Sequence, residues 1–170
     1  SGYGLDLENE LKQVRVIRRL SSEHGMYVVA TCMAAHAVPP EFAGRTDAYV
    51  DVVCNEILPR VAEEKLARYC DVFCETGVFS VEQSKRVLQT ARSLGLGLKI
   101  HADEITALGG AQLAGELGAI SAEHLIATDD SGISALSAGN VTACLLPQTS
   151  LYLNKNFARA REMLSSGVAV

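Results

Sequence analysis

Gly97–Leu125 reads GLKIHADEITALGGAQLAGELGAISAEHL. A short apolar run, Leu98 to Ile100, ends on His101, and Glu104 stands three residues beyond it. A Gly- and Ala-rich amphipathic segment follows, from Leu108 to Gly118. A second short run then ends on His124. The order is strand, polar tip, helix, strand, polar tip. Two imidazoles and a carboxylate therefore fall where neighbouring strands end, which is how a parallel α/β protein gathers reactive groups from separate points in the chain.

The same alternation extends toward the N-terminus. Residues 1–5 read as a loop, and Asp6 can cap a helix whose apolar face is Leu7, Leu11, Val14, Ile17 and Leu20. Tyr27 to Met33 has the length and β-branched content of a buried strand, running out at Ala34-Ala35-His36 before Val38-Pro39-Pro40 forces an extended exit. Thr46 is placed to cap a helix carrying Tyr49, Val52, Val53 and Ile57, which Pro59 should disturb before a further turn from Val61 to Ala67. Asp71 to Cys74 is the next strand, with Glu75 at its tip. Ser80 and Gln83 have capping-box spacing for a helix bearing Val87, Leu88, Ala91 and Leu94, with Gly95 as its stop.

Beyond His124, a loop with Asp129 and Asp130 leads to a short helix around Ile133 and Leu136, closed by Gly139. Val141 to Leu146 is a strand stopping at Pro147. Phe157, Ala160 and Leu164 should line the inner face of a last helix ended by Gly167, and Val168 to Val170 resembles the start of another strand. Strict alternation with long crossovers demands a parallel sheet. Strands apolar throughout indicate burial on both faces, as in a barrel. A (β/α)8 barrel typically needs about 250 residues. The expected fold is thus α/β, a partial (β/α)8 barrel of five to six βα units, with residues 1–170 an internal part of a larger catalytic barrel. A complete open doubly wound domain is the competing architecture.

Composition excludes other classes. At 48% hydrophobic and 21% charged, the chain can bury a substantial core. The net charge of −5 and the scattered basic residues argue against a nucleic-acid partner, and no apolar run is long enough to span a membrane. The first residues lack the basic and apolar regions of a secretion signal. The five cysteines sit in apolar surroundings without zinc-ribbon spacing and read as reduced core thiols of a cytoplasmic protein.

On a barrel, Tyr3, His36, Glu75, His101, Glu104 and His124 share the strand-tip face. His101 is the best metal-ligand candidate, since neutral imidazole is a common ligand of zinc and iron. His124 can act as a general base or as an electrostatic stabiliser near a metal-bound water, and Glu104 can hold or protonate a nitrogenous substrate as a catalytic residue, an exposed loop carboxylate being its other reading. Tyr3, between two glycines, suits a substrate-gripping loop as well as an ordinary turn. Cys74 has no adjacent base and makes a poor nucleophile, and His24 reads as a solvated surface residue.

Six motifs in order, SGYGLDLENELK, AAHAVPPEF, DVFCETGVFS, KIHADE, GGAQLAGELGAISAEHL and LLPQTSLYL, resemble the imidazolonepropionase family of metal-dependent amidohydrolases. The resemblance covers essentially the whole chain. It implies hydrolysis of 4-imidazolone-5-propanoate to N-formimidoyl-L-glutamate in histidine degradation. It also implies one divalent metal, zinc or iron, and a cytoplasmic protein, a homodimer being compatible with it. It makes His101 a metal ligand, Glu104 a substrate-binding residue at the ring nitrogens, His124 the residue that assists the attacking water, and Tyr3 and His36 substrate contacts. It transfers no role to Glu75. The family's HxH pair, its late aspartate ligand and its propionate-binding arginine have no counterpart here, so the segment by itself is expected to be inactive. The other readings are a different cyclic amidohydrolase and a non-catalytic truncated barrel chain.

Overall fold

The structure, a computed structural model, describes residues 3–170. Ser1 and Gly2 of the first motif lie outside the described residues. Five parallel strands alternate with helices in the order β1-β2-β3-β4-β5, which is the expected α/β architecture. The chain forms two compact units, one running to Val72 and including Gln83–Gly97, the other Phe73–Glu82 with Leu98–Val170.

In the first unit, helix α1 spans Leu7–Glu23, and Asp6 caps it as expected, its carboxylate accepting the Asn9 N–H at 2.8 Å. Leu11 and Val14 are buried, whereas Leu20 is exposed. Strand β1 is Thr31–Ala35, shorter and later than the sequence predicts. It pairs with β2, Tyr69–Cys74, beginning at Thr31 opposite Tyr69. Tyr27 and Val29 lie before this first pair and remain exposed, so residues 27–30 never enter the sheet.

Thr46 does not cap the next helix. It is the first residue of α2, Thr46–Val52, after Arg45, which makes no side-chain capping bond. The disturbance expected near Pro59 is present as a wide turn just ahead of it, and the helix continues through the proline. A π-helical turn, Val53–Ile57, connects α2 to α3, Leu58–Glu63. The apolar residues explain the turn. Tyr49, Val53, Ile57 and Val61 recur every four residues and are all fully buried. On an ideal α-helix such a repeat rotates by about 40° per step and would carry Val61 off the face. Widening one turn keeps all of them inward, and the Leu58 N–H donates to Val53 O, five residues back. Tyr49 completes this core, its hydroxyl donating to Ala34 O at 2.9 Å.

Helix α4, Val81–Ser93, buries Val87, Leu88 and Ala91. The Gln83 amide donates to Asp47 at 2.7 Å, tying α4 to α2, an attachment the capping-box spacing does not foretell. Gly95, with φ +83°, adopts the left-handed conformation expected of a helix stop.

Strand β3 is Gly97–Ala102, in the second unit from Leu98 on, and that unit continues with α5 Gly110–Glu116, β4 Ser121–His124, α6 Asp130–Ala138 and β5 Thr142–Cys144. Residue alternation along β3 sends Leu98, Ile100 and Ala102 into the core and leaves Lys99 and His101 half-buried on the other side. Asp129 caps α6 through the Gly132 N–H at 2.8 Å, and Gly139 follows its last residue.

Helices α5 and α6 meet without intervening side chains. A Cβ on Gly115 would stand 2.2 Å from Ala135 O, and one on Gly139 would stand 2.6 Å from Gly115 Cα. Both neighbours are backbone, so the helices themselves would have to part. Gly115→Val in the full-length protein should lower stability by about 3 kcal/mol, the upper end of ordinary overpacking. Chemical denaturation checks it, and an unchanged midpoint would mean that this pair of helices is not closely apposed.

Helix α7, Pro147–Tyr152, and helix α8, Ala160–Ser165, end the chain. The predicted inner face of the last helix is wrong. Phe157 precedes α8 and is exposed, as is Leu164, while Met163 is fully buried. The α8 turn begins later than expected, and this rotates the face. Residues 168–170 form no strand, although Ala143 donates one backbone bond to Ala169 O. Cys32, Cys54, Cys70 and Cys74 are buried thiols, but Cys144 is exposed, against expectation. No helix of the described residues is long and apolar enough to cross a membrane.

Candidate functional site

The second unit brings three of the predicted residues together. His101 lies near the end of β3 and His124 ends β4. Their rings are 5.2 Å apart between centroids. Glu104, on the loop after β3, places a carboxylate oxygen 3.6 Å from His124 Nε2. The Phe73 ring, from the end of β2, lies 6.3 Å from that of His101 in a T-shaped arrangement.

The backbone is strained at this point. His124 has φ +72° and Leu125 φ +55°, both in the left-handed region that residues with side chains avoid. Each such residue costs on the order of 1–3 kcal/mol and persists only where surrounding contacts dictate it. Here Leu125 is fully buried and donates its N–H to Ala102 O, so the turn after β4 is anchored to the tip of β3.

Asp103 organises the other side. It has φ +50° and is almost completely buried. Its carboxylate accepts the Gly110 and Ala111 N–H groups at the start of α5 and the Thr128 hydroxyl at 3.0 Å. Its carbonyl accepts the Ala127 N–H. Burial nevertheless pushes its carboxyl above the usual range, and these donors oppose that shift. The four residues His101 to Glu104 thus divide: the flanking His and Glu face the tip cluster, and the Asp ties the following helix and loop in place.

Glu75 is deeply buried rather than exposed at its strand tip. Burial opposes its charge, but bonds from Thr106, Ile105 and Thr76 outweigh it and hold the carboxyl below the ordinary value. Glu104 shows the opposite behaviour. Burial pushes its carboxyl up, the His101 imidazole draws it down, and the charge of Glu75 raises it further.

The first unit holds the remaining predicted residues. His36 is buried just beyond β1, with Nε2 3.3 Å from a carboxylate oxygen of Asp71. The Tyr3 ring lies 5.3 Å from that of His36. The loop bearing Tyr3 is held by Glu10, whose carboxylate accepts the Gly4 and Leu5 N–H groups at 2.7 and 3.0 Å. Gly4 is required there, because a Cβ would stand 2.4 Å from the Glu10 backbone nitrogen.

Sequence reasoning missed Asp71, Asp103 and Glu10. The available signal was a carboxylate inside an otherwise apolar run, YCDVFC, and one next to a strand tip, HADE. A charge in such a place needs a partner.

No protein-family model matches the chain. Curated relatives do. The chain is 54% identical to the imidazolonepropionase of Clostridium tetani and 55% identical to that of Desulfotalea psychrophila, each over 170 residues. The imidazolonepropionase of Parabacteroides distasonis is 54% identical over the same length. All of this chain is covered, and it spans 41% of the length of each of the three relatives.

Among solved structures, a guanine deaminase from C. acetobutylicum with bound guanine superposes with a TM-score of 0.71 at 12% identity. It covers 98% of this chain and 43% of its own. An adenosine deaminase from Xanthomonas campestris with bound zinc gives 0.62 at 18% identity, covering 91% and 38%. These likenesses concern the fold: the chain has the architecture of part of a (β/α)8 barrel.

Proposed function

We infer, from a chain that belongs to the imidazolonepropionase family over its whole length, that the full-length protein hydrolyses 4-imidazolone-5-propanoate to N-formimidoyl-L-glutamate. In this reading residues 1–170 are the part of the catalytic barrel that carries several of its strand tips. The observation that supports it is the meeting of His101, His124 and Glu104 at the tips of β3 and β4.

A divalent metal fits the donor chemistry at His101, a half-buried imidazole with a carboxylate nearby, a set that suits zinc or iron. When bound, such a metal lowers the pKa of water toward neutrality and polarises the carbonyl. The chain's own residues do the rest. His124 Nε2 accepts the proton of the attacking water as its oxygen adds to the ring carbonyl carbon. The ring C–N bond then breaks, and the same imidazole returns the proton to the departing nitrogen. The Glu104 carboxylate accepts a hydrogen bond from a ring N–H and holds the carbonyl toward the nucleophile. Its burial, which excludes water, strengthens that hold. Tyr3 and His36 are the further substrate contacts in this reading. The protein is read as cytoplasmic, with a small-molecule substrate and no nucleic-acid or membrane partner, and a homodimer is compatible with this reading.

The test is loss of imidazolone absorbance on addition of the full-length, metal-loaded protein. Turnover is expected. A folded, metal-loaded protein that leaves the chromophore intact would reassign the site to another cyclic amide.

A further inference from the structure

Glu75 makes an unusually complete set of bonds. One carboxylate oxygen accepts the Ile105 N–H at 2.8 Å and the Thr106 N–H at 3.3 Å. The other accepts the Thr106 hydroxyl at 2.5 Å and the Thr76 N–H at 2.8 Å. The Thr76 and Thr106 hydroxyls also meet, at 2.8 Å. The carboxylate is itself fixed from behind. The Glu75 N–H donates to Phe79 O, and Glu75 O accepts from Val78, closing a tight turn through Gly77 at φ +84°.

Residues 105 and 106 directly follow Glu104. Ile105 is half exposed and packs little. On the other side of Glu104, Asp103 is locked to the start of α5 and to the loop after β4. Glu104 is therefore held between two clamped points, and Glu75 supplies the second. An ionised carboxylate only accepts hydrogen bonds, which matches four donors from three residues. A glutamine in its place would turn an N–H group toward at least one of those donors.

We propose that Glu75 is a positioning residue, whose carboxylate fixes residues 105–106 and thereby sets Glu104 against His124 and the substrate. This rests on the reading of Glu104 as a substrate-binding residue. Displacing a substrate-holding group by about 1 Å can cost about a hundredfold in rate. Glu75→Gln in the full-length, metal-loaded protein should lower kcat/KM by about that factor while metal content stays at the parent level.

The deciding measurement is a double-mutant cycle with Glu104→Gln. If Glu75 acts through Glu104, adding Glu75→Gln to Glu104→Gln changes kcat/KM by less than about threefold. Thr106→Val, which removes one donor and leaves the charge, should show the same coupling with a smaller single effect. It decides by the same criterion should Glu75→Gln not fold. Losses that multiply in the cycle, or a Glu75→Gln protein at the parent rate beside a slow Glu104→Gln protein, overturn the positioning role and leave the functional reading intact. A Glu104→Gln protein at the parent rate overturns both the substrate role of Glu104 and the positioning role of Glu75.

Discussion

Replacing His101 with alanine in the full-length protein should remove bound metal and turnover together. The half-buried imidazole has the Phe73 ring at 6.3 Å and the His124 ring at 5.2 Å between centroids, and alanine would leave no nitrogen donor at its position. Loss of a ligand lowers affinity, and the rate then follows occupancy. Metal analysis of the purified protein and the absorbance assay, run on one preparation, check the expectation. A variant that keeps its metal and its rate would show that His101 is a packing residue, and the centre would have to be sought elsewhere.

The second large effect concerns His124. Its backbone is left-handed, so alanine would confuse loss of the imidazole with strain in the turn. Asparagine tolerates this conformation and is the cleaner substitution. His124→Asn should lower kcat by about 10²–10⁴, the range for removing a general base, with KM and metal content close to those of the parent. Steady-state kinetics and metal analysis separate these quantities. A full rate in that variant would transfer proton handling to another group. A rise in KM alone would make His124 a binding residue.

How much of this was legible from sequence depends on the length of the interaction. Asp6, Gly95 and Gly139 act within a turn of their own positions, and each was readable as a cap or stop, whereas Asp129 was read as a loop residue and caps α6. His101, Glu104 and His124 were readable because a strand tip is a local feature, and a parallel fold sends successive tips to one face. The resemblance to a known family assigned their roles.

What was not legible depends on distant partners. Nothing next to Glu75 in the chain announces that three of its four donors, all but the Thr76 N–H, lie on Ile105 and Thr106. Thr46 has the right residue type for a cap, yet the helix includes it. Tyr27 to Ala30 has strand composition, but β2 offers it no paired residue. Phe157 and Leu164 suggest a helix face that Met163 occupies instead, because α8 starts at Ala160. In each case local propensity was overridden by where a neighbouring element begins.

The wide turn at Val53–Ile57 has one more consequence. A π-helical segment is an α-helix that has absorbed one extra residue. Deleting a solvent-facing residue there, such as Asn55, would shorten the path from Tyr49 to Val61 by one. At about 100° per residue, the two ends would remain within about 20° of the same face. The segment between β1 and β2 is therefore a place where lineages can gain or lose a single codon while the helix keeps its buried stripe and the strand tips keep their positions.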